Sequence, residues 1–134
     1  MTIAIIGGGA AGMMAAASAL ATDPTHHIIL VERNNGLGKK VIISGGGRCN
    51  ITTGIHDLYI LRTKYPRGAE FLQHAFEKFP PDAVYRWFES HGVPLKTQHD
   101  QRVFPQSDDG HDIVGVFEKI FAEQNIEVLL GTHI

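Results

Sequence analysis

Within the first 32 residues stand the groups best suited to hold a ligand. Gly7-Gly8-Gly9-Ala10-Ala11-Gly12 satisfies G-x-G-x-x-G, and an acid, Glu32, follows its last glycine by 20 residues. The chemistry that this spacing serves is the grip of a dinucleotide. Gly7 permits a tight turn, Gly9 lets a pyrophosphate reach the backbone without meeting a Cβ, and Gly12 allows a helix to lie close on a strand. Ala10 and Ala11 open that helix, whose first N–H groups are unpaired and carry partial positive charge. Glu32 is placed to accept hydrogen bonds from ribose hydroxyls, and its charge argues against a 2′-phosphate, although the adjacent Arg33 keeps NADP open. A glycine turn kept for packing alone is the alternative, and FAD, NAD and S-adenosylmethionine all remain compatible with this run by itself.

A second glycine-rich run follows, Gly38-Lys39-Lys40-Val41-Ile42-Ile43-Ser44-Gly45-Gly46-Gly47-Arg48-Cys49-Asn50-Ile51-Thr52. Successive glycines let backbone N–H groups face an anion or a flat ring at contact distance, and Arg48 is able to offset phosphate charge. The plainer alternative is a glycine hinge with Arg48 solvated. A nicotinamide dehydrogenase has no common need for such a loop. Cys49, the single cysteine, has no partner for a redox dithiol and is expected to be a small buried residue. The eight histidines show no metal-binding spacing, so no metal ligand is assigned. Asp108-Asp109 is expected to cap the last helix rather than to form an acid/base dyad, and no catalytic residue is assigned.

The elements that must position these groups read as a single α/β domain over residues 1–134. Thr2-Ile3-Ala4-Ile5-Ile6 is an apolar run expected to form a strand buried on both faces; alanine-rich residues 10 to about 21 form the first helix, and residues 27–32 a second strand joined by a right-handed crossover. Residues 34–53 are expected to be a shaped loop with at most a short helical turn. Helices are predicted over 68–79, 81–91 and 112–124; strands at 93–96 and 102–104 form a small hairpin around 97–101, and 126–130 is the third parallel strand. Strand two should lie between strands one and three, leaving strand one as an apolar edge open to self-association. Tyr85, Trp87 and Phe88 are expected to pack in the core or between domains.

Composition narrows the function classes. The chain has 134 residues, 43% hydrophobic and 19% charged, with 15 glycines, as expected of a folded domain with many tight backbone positions. A net charge of −2 and a pI near 6.4 supply no positive field for nucleic acid. Residues 1–22 carry no charged side chain, but their glycines and the lack of a basic leader argue against a membrane segment or signal peptide. A cytoplasmic location is expected, in keeping with the single cysteine.

The second glycine run resembles the segment that follows the ribose-binding acid in the aminoacetone oxidase-like family of bacterial FAD-binding flavoproteins, a group of NAD(P)/FAD-dependent oxidoreductases. Arg102-Val103-Phe104-Pro105-Gln106-Ser107 looks like a second signature of that family, and the resemblance covers essentially the whole chain. It implies a Rossmann-like FAD/NAD(P)-binding fold with three parallel strands, helices and a small hairpin insertion. It further implies FAD as cofactor, NAD(P)H as electron donor in the full-length family, and an unidentified small-molecule substrate. Gly7, Gly9, Gly12 and Glu32 would hold the ADP end, and Ser44, Gly45, Gly46, Arg48 and Asn50 the pyrophosphate and flavin end, with Ala10, Ala11, Arg33 and Lys40 completing the cofactor-binding set. Two departures stand out. Gln101 occupies a position where the family usually has glycine, so the hairpin turn is expected to differ. Family members are about three times as long, so the chain is expected to be an N-terminal part that holds FAD without a complete active site. An NAD(P)-binding dehydrogenase domain and a non-catalytic nucleotide-binding remnant are the competing functions.

Overall fold

The computed structural model describes residues 1–124 and 126–134. In chain order the elements are β1 (Thr2–Ile6), α1 (Ala10–Thr22), β2 (His27–Val31), α2 (Lys39–Ile43), a 3-10 turn (Ser44–Gly46), β3 (Thr52–Thr53), α3 (Leu58–Thr63), α4 (Ala69–Lys78), α5 (Pro81–Ser90), β4 (Leu95–Thr97), β5 (Arg102–Pro105), α6 (Gly110–Glu123) and β6 (Glu127–Leu129). The architecture is the expected α/β Rossmann-like domain. Its main sheet is parallel with order β1-β2-β6, so β2 is central as the sequence led us to expect. A second, antiparallel sheet has order β3-β5-β4.

Alanines let α1 lie close on the sheet. Ala16 and Ala17 are buried beside Met13 and Leu20, and α1 packs on both β1 and β2. The apolar face of α6, made of Ile113, Val114, Phe117 and Phe121, closes the same core from the side of α1 and α2. Each such fully buried side chain contributes roughly 1.5–3 kcal/mol of transfer free energy. Trp87 stacks on Phe117 and Phe88 meets it edge-on, so α5 is pinned to α6 by aromatic contacts, in line with the expected packing role.

One expectation fails on β1. Thr2, Ala4 and Ile6 are exposed while Ile3 and Ile5 are only half-buried. Strand one is therefore covered on the face of Ile3 and Ile5 and open on that of Thr2, Ala4 and Ile6, with α1 packed on it. Elsewhere the differences come from short elements. Residues 34–53 contain α2, a 3-10 turn and the two-residue β3, and α3 lies in a stretch where no helix was expected. β3 pairs Thr52 with Val103, which turns the expected hairpin into a three-stranded sheet. In the turn between β4 and β5, Gln101 takes φ 68, the left-handed region that glycine enters freely. Among the described residues no helix is long and apolar enough to cross a membrane.

Candidate functional site

The turn from β1 into α1 is built by backbone contacts that admit few side chains. A Cβ on Gly12 would collide with the carbonyl oxygen of Gly7, so the helix can approach the strand only because residue 12 lacks one. A Cβ on Gly9, by contrast, would meet nothing within 4 Å. Gly9 caps α1 without a side-chain hydrogen bond, and the first turn carries no acidic residue. Gly9, Ala10 and Ala11 are exposed, so the unpaired N–H groups of that turn face outward with the positive end of the helix dipole.

Glu32 stands just past β2, buried at 8% exposure. Its Oε2 accepts the Gly8 N–H at 2.7 Å, and its Oε1 accepts the Asn34 backbone N–H at 2.7 Å and the Asn34 side-chain amide at 2.5 Å. Donation from the Asn34 and Gly8 N–H groups holds its carboxyl below the usual carboxylate range. The acid thus latches the glycine turn to the end of β2. A carboxylate offers about four lone-pair directions, so one remains for an external donor such as a hydroxyl. A Cβ on Gly8 would strike Leu37, so Gly8 is fixed by packing as well as by its bond to Glu32.

These parts enclose cavity one, of about 410 Å³. Gly7, Gly8 and Gly9 form one side and Glu32 lies beneath, while Arg33, Lys39 and Lys40 stand around it. None of the three cations forms an ion pair among the described residues. The last residues, Thr132 to Ile134, complete the wall, held there by Thr132 N–H donating to the Glu32 carbonyl at 3.0 Å. Open backbone donors, a helix N-terminus and unpaired cations make this cavity suited to an anionic, phosphate-like group.

The second glycine run joins the first through one backbone bond, Gly38 N–H to the Gly8 carbonyl at 2.8 Å. It does not line cavity one beyond Lys39 and Lys40. Ser44, Cys49 and Asn50 instead line cavity two, of about 470 Å³, whose other walls come from α1, α5 and α6. Gly9 and Lys40 border both cavities. Gly45, at φ 58, sits where a Cβ would come within 2.8 Å of Phe104 and 3.0 Å of the Asn50 nitrogen. Arg48 turns inward. Its Nε donates to the Gly45 carbonyl at 3.2 Å, its guanidinium lies 4.1 Å from the centre of the Phe104 ring, and Asp108 stands 3.8 Å away. Gly45, Gly46 and Arg48 thus shape the loop behind cavity two, and Ser44 and Asn50 are its members at the cavity.

Cys49 is buried, and burial pushes its thiol up. Asp109 caps α6 by accepting the His111 N–H at 2.8 Å, as expected, whereas Asp108 bonds Lys96 instead. Gly8, Asn34, Lys39 and the tail residues were not singled out by sequence reasoning. Gly8 and Lys39 adjoin residues that were, and the tail carries no local signal because β6 alone brings it to Glu32.

Comparison with known proteins places this geometry. The chain is 28% identical over 98 residues to the 3-dehydro-bile acid delta(4,6)-reductase of Clostridium scindens, an alignment that covers 73% of this chain and 23% of that protein. The crystal structure of Thermovibrio ammonificans THI4 superposes with a TM-score of 0.58 at 13% identity, covering 96% of this chain and 38% of that one, which shows the shared fold. The model of the HI0933-like protein Rossmann domain matches residues 1–134, and the chain belongs to that family.

Proposed function

We propose that residues 1–134 are the FAD-binding portion of a flavoprotein oxidoreductase, and that within its family the chain falls in the aminoacetone oxidase-like group. The observation that carries this reading is cavity one, where the open backbone at Gly9, the free first turn of α1 and the unpaired Arg33, Lys39 and Lys40 meet above the Glu32 carboxylate. FAD fits what is present. Its pyrophosphate matches the donors and cations, and a ribose hydroxyl matches the remaining acceptor direction of Glu32. Gly7, Gly9, Ala10, Ala11 and Gly12 supply the turn, and Gly12 does so by keeping α1 against β1. The flavin end lies toward Ser44 and Asn50, on a loop whose course is set by Gly45, Gly46 and Arg48.

Bound FAD would supply hydride or electron transfer, and the residues of this chain bind and orient it. The relative from Clostridium scindens, named as a reductase of a bile acid derivative, supports a reductive role on a small molecule. NAD(P)H is the proposed electron donor. Titration of the purified protein with FAD and with ADP tests the reading. Saturable quenching of flavin fluorescence, an absorbance band near 450 nm that co-elutes with the protein, and competition by ADP are expected. Absence of saturable binding by both nucleotides would overturn it.

A further inference from the structure

We propose that a third cavity, where α3 and α4 meet β3 and the start of α5, is the substrate site, and that its ligand is a small, uncharged, largely apolar compound with a carbonyl or hydroxyl group at one end. The inference rests on the reading above that the flavin end of FAD lies toward Ser44 and Asn50. The cavity holds about 310 Å³, at the lower end of the range for small-molecule sites, about 300–1,000 Å³. Leu61, 3% exposed, and the buried Pro81 are fixed parts of its wall. Tyr65 and Phe76 supply an aromatic side, their rings 5.3 Å apart and tilted by 53°. Phe79 and Val84 border this cavity and cavity two alike, so a ligand here lies beside whatever fills the flavin end.

Charge separates this cavity from the other two. Lys40 borders both cavity one and cavity two, whereas no charged side chain among the described residues lines the third. An ionised ligand would lose water here and meet no counter-charge, a far larger penalty than a neutral group incurs. Four lining residues carry polar side-chain atoms, and the oxygens of two are engaged: Asn50 accepts the Val103 N–H at 3.2 Å and Thr53 accepts the Ile55 N–H at 3.3 Å. The hydroxyls of Thr52 and Tyr65 form no hydrogen bond among the described residues. Each hydroxyl can donate and accept, so the pair suits a carbonyl or hydroxyl oxygen. An apolar slot with a few free polar groups and no charge orients a neutral compound by that oxygen.

Titration of the intact chain with prodan, a neutral naphthyl ketone whose emission shifts to the blue in apolar surroundings, tests the site. Saturable binding is expected, with competition by the neutral 2-acetylnaphthalene at least about tenfold stronger than by the anionic 2-naphthoate. Thr53→Trp fills the slot and should weaken prodan at least about tenfold. Tyr65→Phe and Thr52→Val each remove one hydroxyl with little change of shape and should weaken it about fivefold. Competition by 2-ethylnaphthalene, which has no oxygen, should be the same in these two variants as in wild type. Circular dichroism checks each fold, and the two conservative variants carry the test should Thr53→Trp not fold. ADP affinity should be unchanged throughout, since none of these residues borders cavity one. Saturating FAD should leave prodan bound beside it, and displacement by FAD would give the cavity to the flavin and overturn the proposal. Prodan binding as described in a chain that binds neither FAD nor ADP would overturn the flavin reading and support the neutral-ligand site. In a chain that binds FAD, unsaturable prodan binding, equal competition by 2-naphthoate, or undiminished affinity in folded Tyr65→Phe and Thr52→Val would overturn the site alone.

Discussion

The two glycine-rich segments look alike in sequence, and each mixes filled with open positions in space. In the first, glycine serves in two ways: Gly12 is filled space, where a Cβ would hit the Gly7 carbonyl, and Gly9 is open space, where it would hit nothing within 4 Å. In the second, Gly45 is again filled space, packed on Phe104, Gly46 and Gly47 are open, and the guanidinium of Arg48 is held against Phe104 and Asp108. Glycine density therefore does not mark a ligand contact. What marks one is an open glycine beside free donors, a condition met at Gly9 on the first turn of α1.

Substitutions can break that contrast in graded steps. Gly12→Ala should have the largest effect, costing more than about 4 kcal/mol because the clash is with backbone that has nowhere to move; urea unfolding at neutral pH measures it. Gly9→Leu should cost no more than about 1 kcal/mol of stability as a poorer N-cap and weaken FAD and ADP at least about 100-fold by steric exclusion, and an unaltered titration would show that Gly9 does not face the nucleotide. Gly45→Ala should cost roughly 2–3 kcal/mol, the left-handed backbone and the Phe104 contact both opposing a side chain.

Glu32→Gln should cost about 1–2 kcal/mol at pH 7, since an amide cannot accept from both Gly8 and Asn34 as the carboxylate does. The sign of its pH dependence follows from the depressed carboxyl of the folded state. The unfolded chain binds the proton first as pH falls, so this stabilisation is complete above the ordinary carboxylate range and is lost as pH drops through the lower folded value. Melting curves of wild type should show that loss, and those of Glu32→Gln should lack this component. Arg48→Met should have the smallest effect, about 0.5–1 kcal/mol of stability from the ring contact, with ADP affinity unchanged because Arg48 does not border cavity one.

The first site was legible because its parts are local. A strand, a glycine turn, a helix and an acid all fall within 32 consecutive residues, and periodicity places each one. The spacing marks Glu32 as a candidate acceptor and says nothing of its bonds to Gly8 and Asn34, because a hydrogen bond across 24 residues depends on how close the β2 end lies to the turn. β1 was read as buried on both faces because an apolar run does not say what covers it. β3 was invisible at two residues in length, and it exists by virtue of pairing with β5 some 50 positions away. Cavity two was hidden for a similar reason: its walls come from α1, α5 and α6, whose apolar faces read as core, and only their mutual angle opens a slot between them.

The pairing of β2 with β6 sets an order of events. Ile29 meets Glu127 only once residue 127 is available, whereas β1 and β2 meet across a short helical crossover. Loop closure grows costlier with length, by about 0.6 kcal/mol per doubling, and contacts between distant residues slow the search for the native state. During synthesis, the β1-α1-β2 unit can assemble early, with the glycine turn formed but one wall of its cavity absent. Thr132 then docks on the Glu32 carbonyl as β6 joins. Nascent chains stalled before residue 127 should thus resist neither protease nor dilution of nucleotide, and both kinds of resistance should rise once residues 127–132 are available to pair with β2 and Glu32.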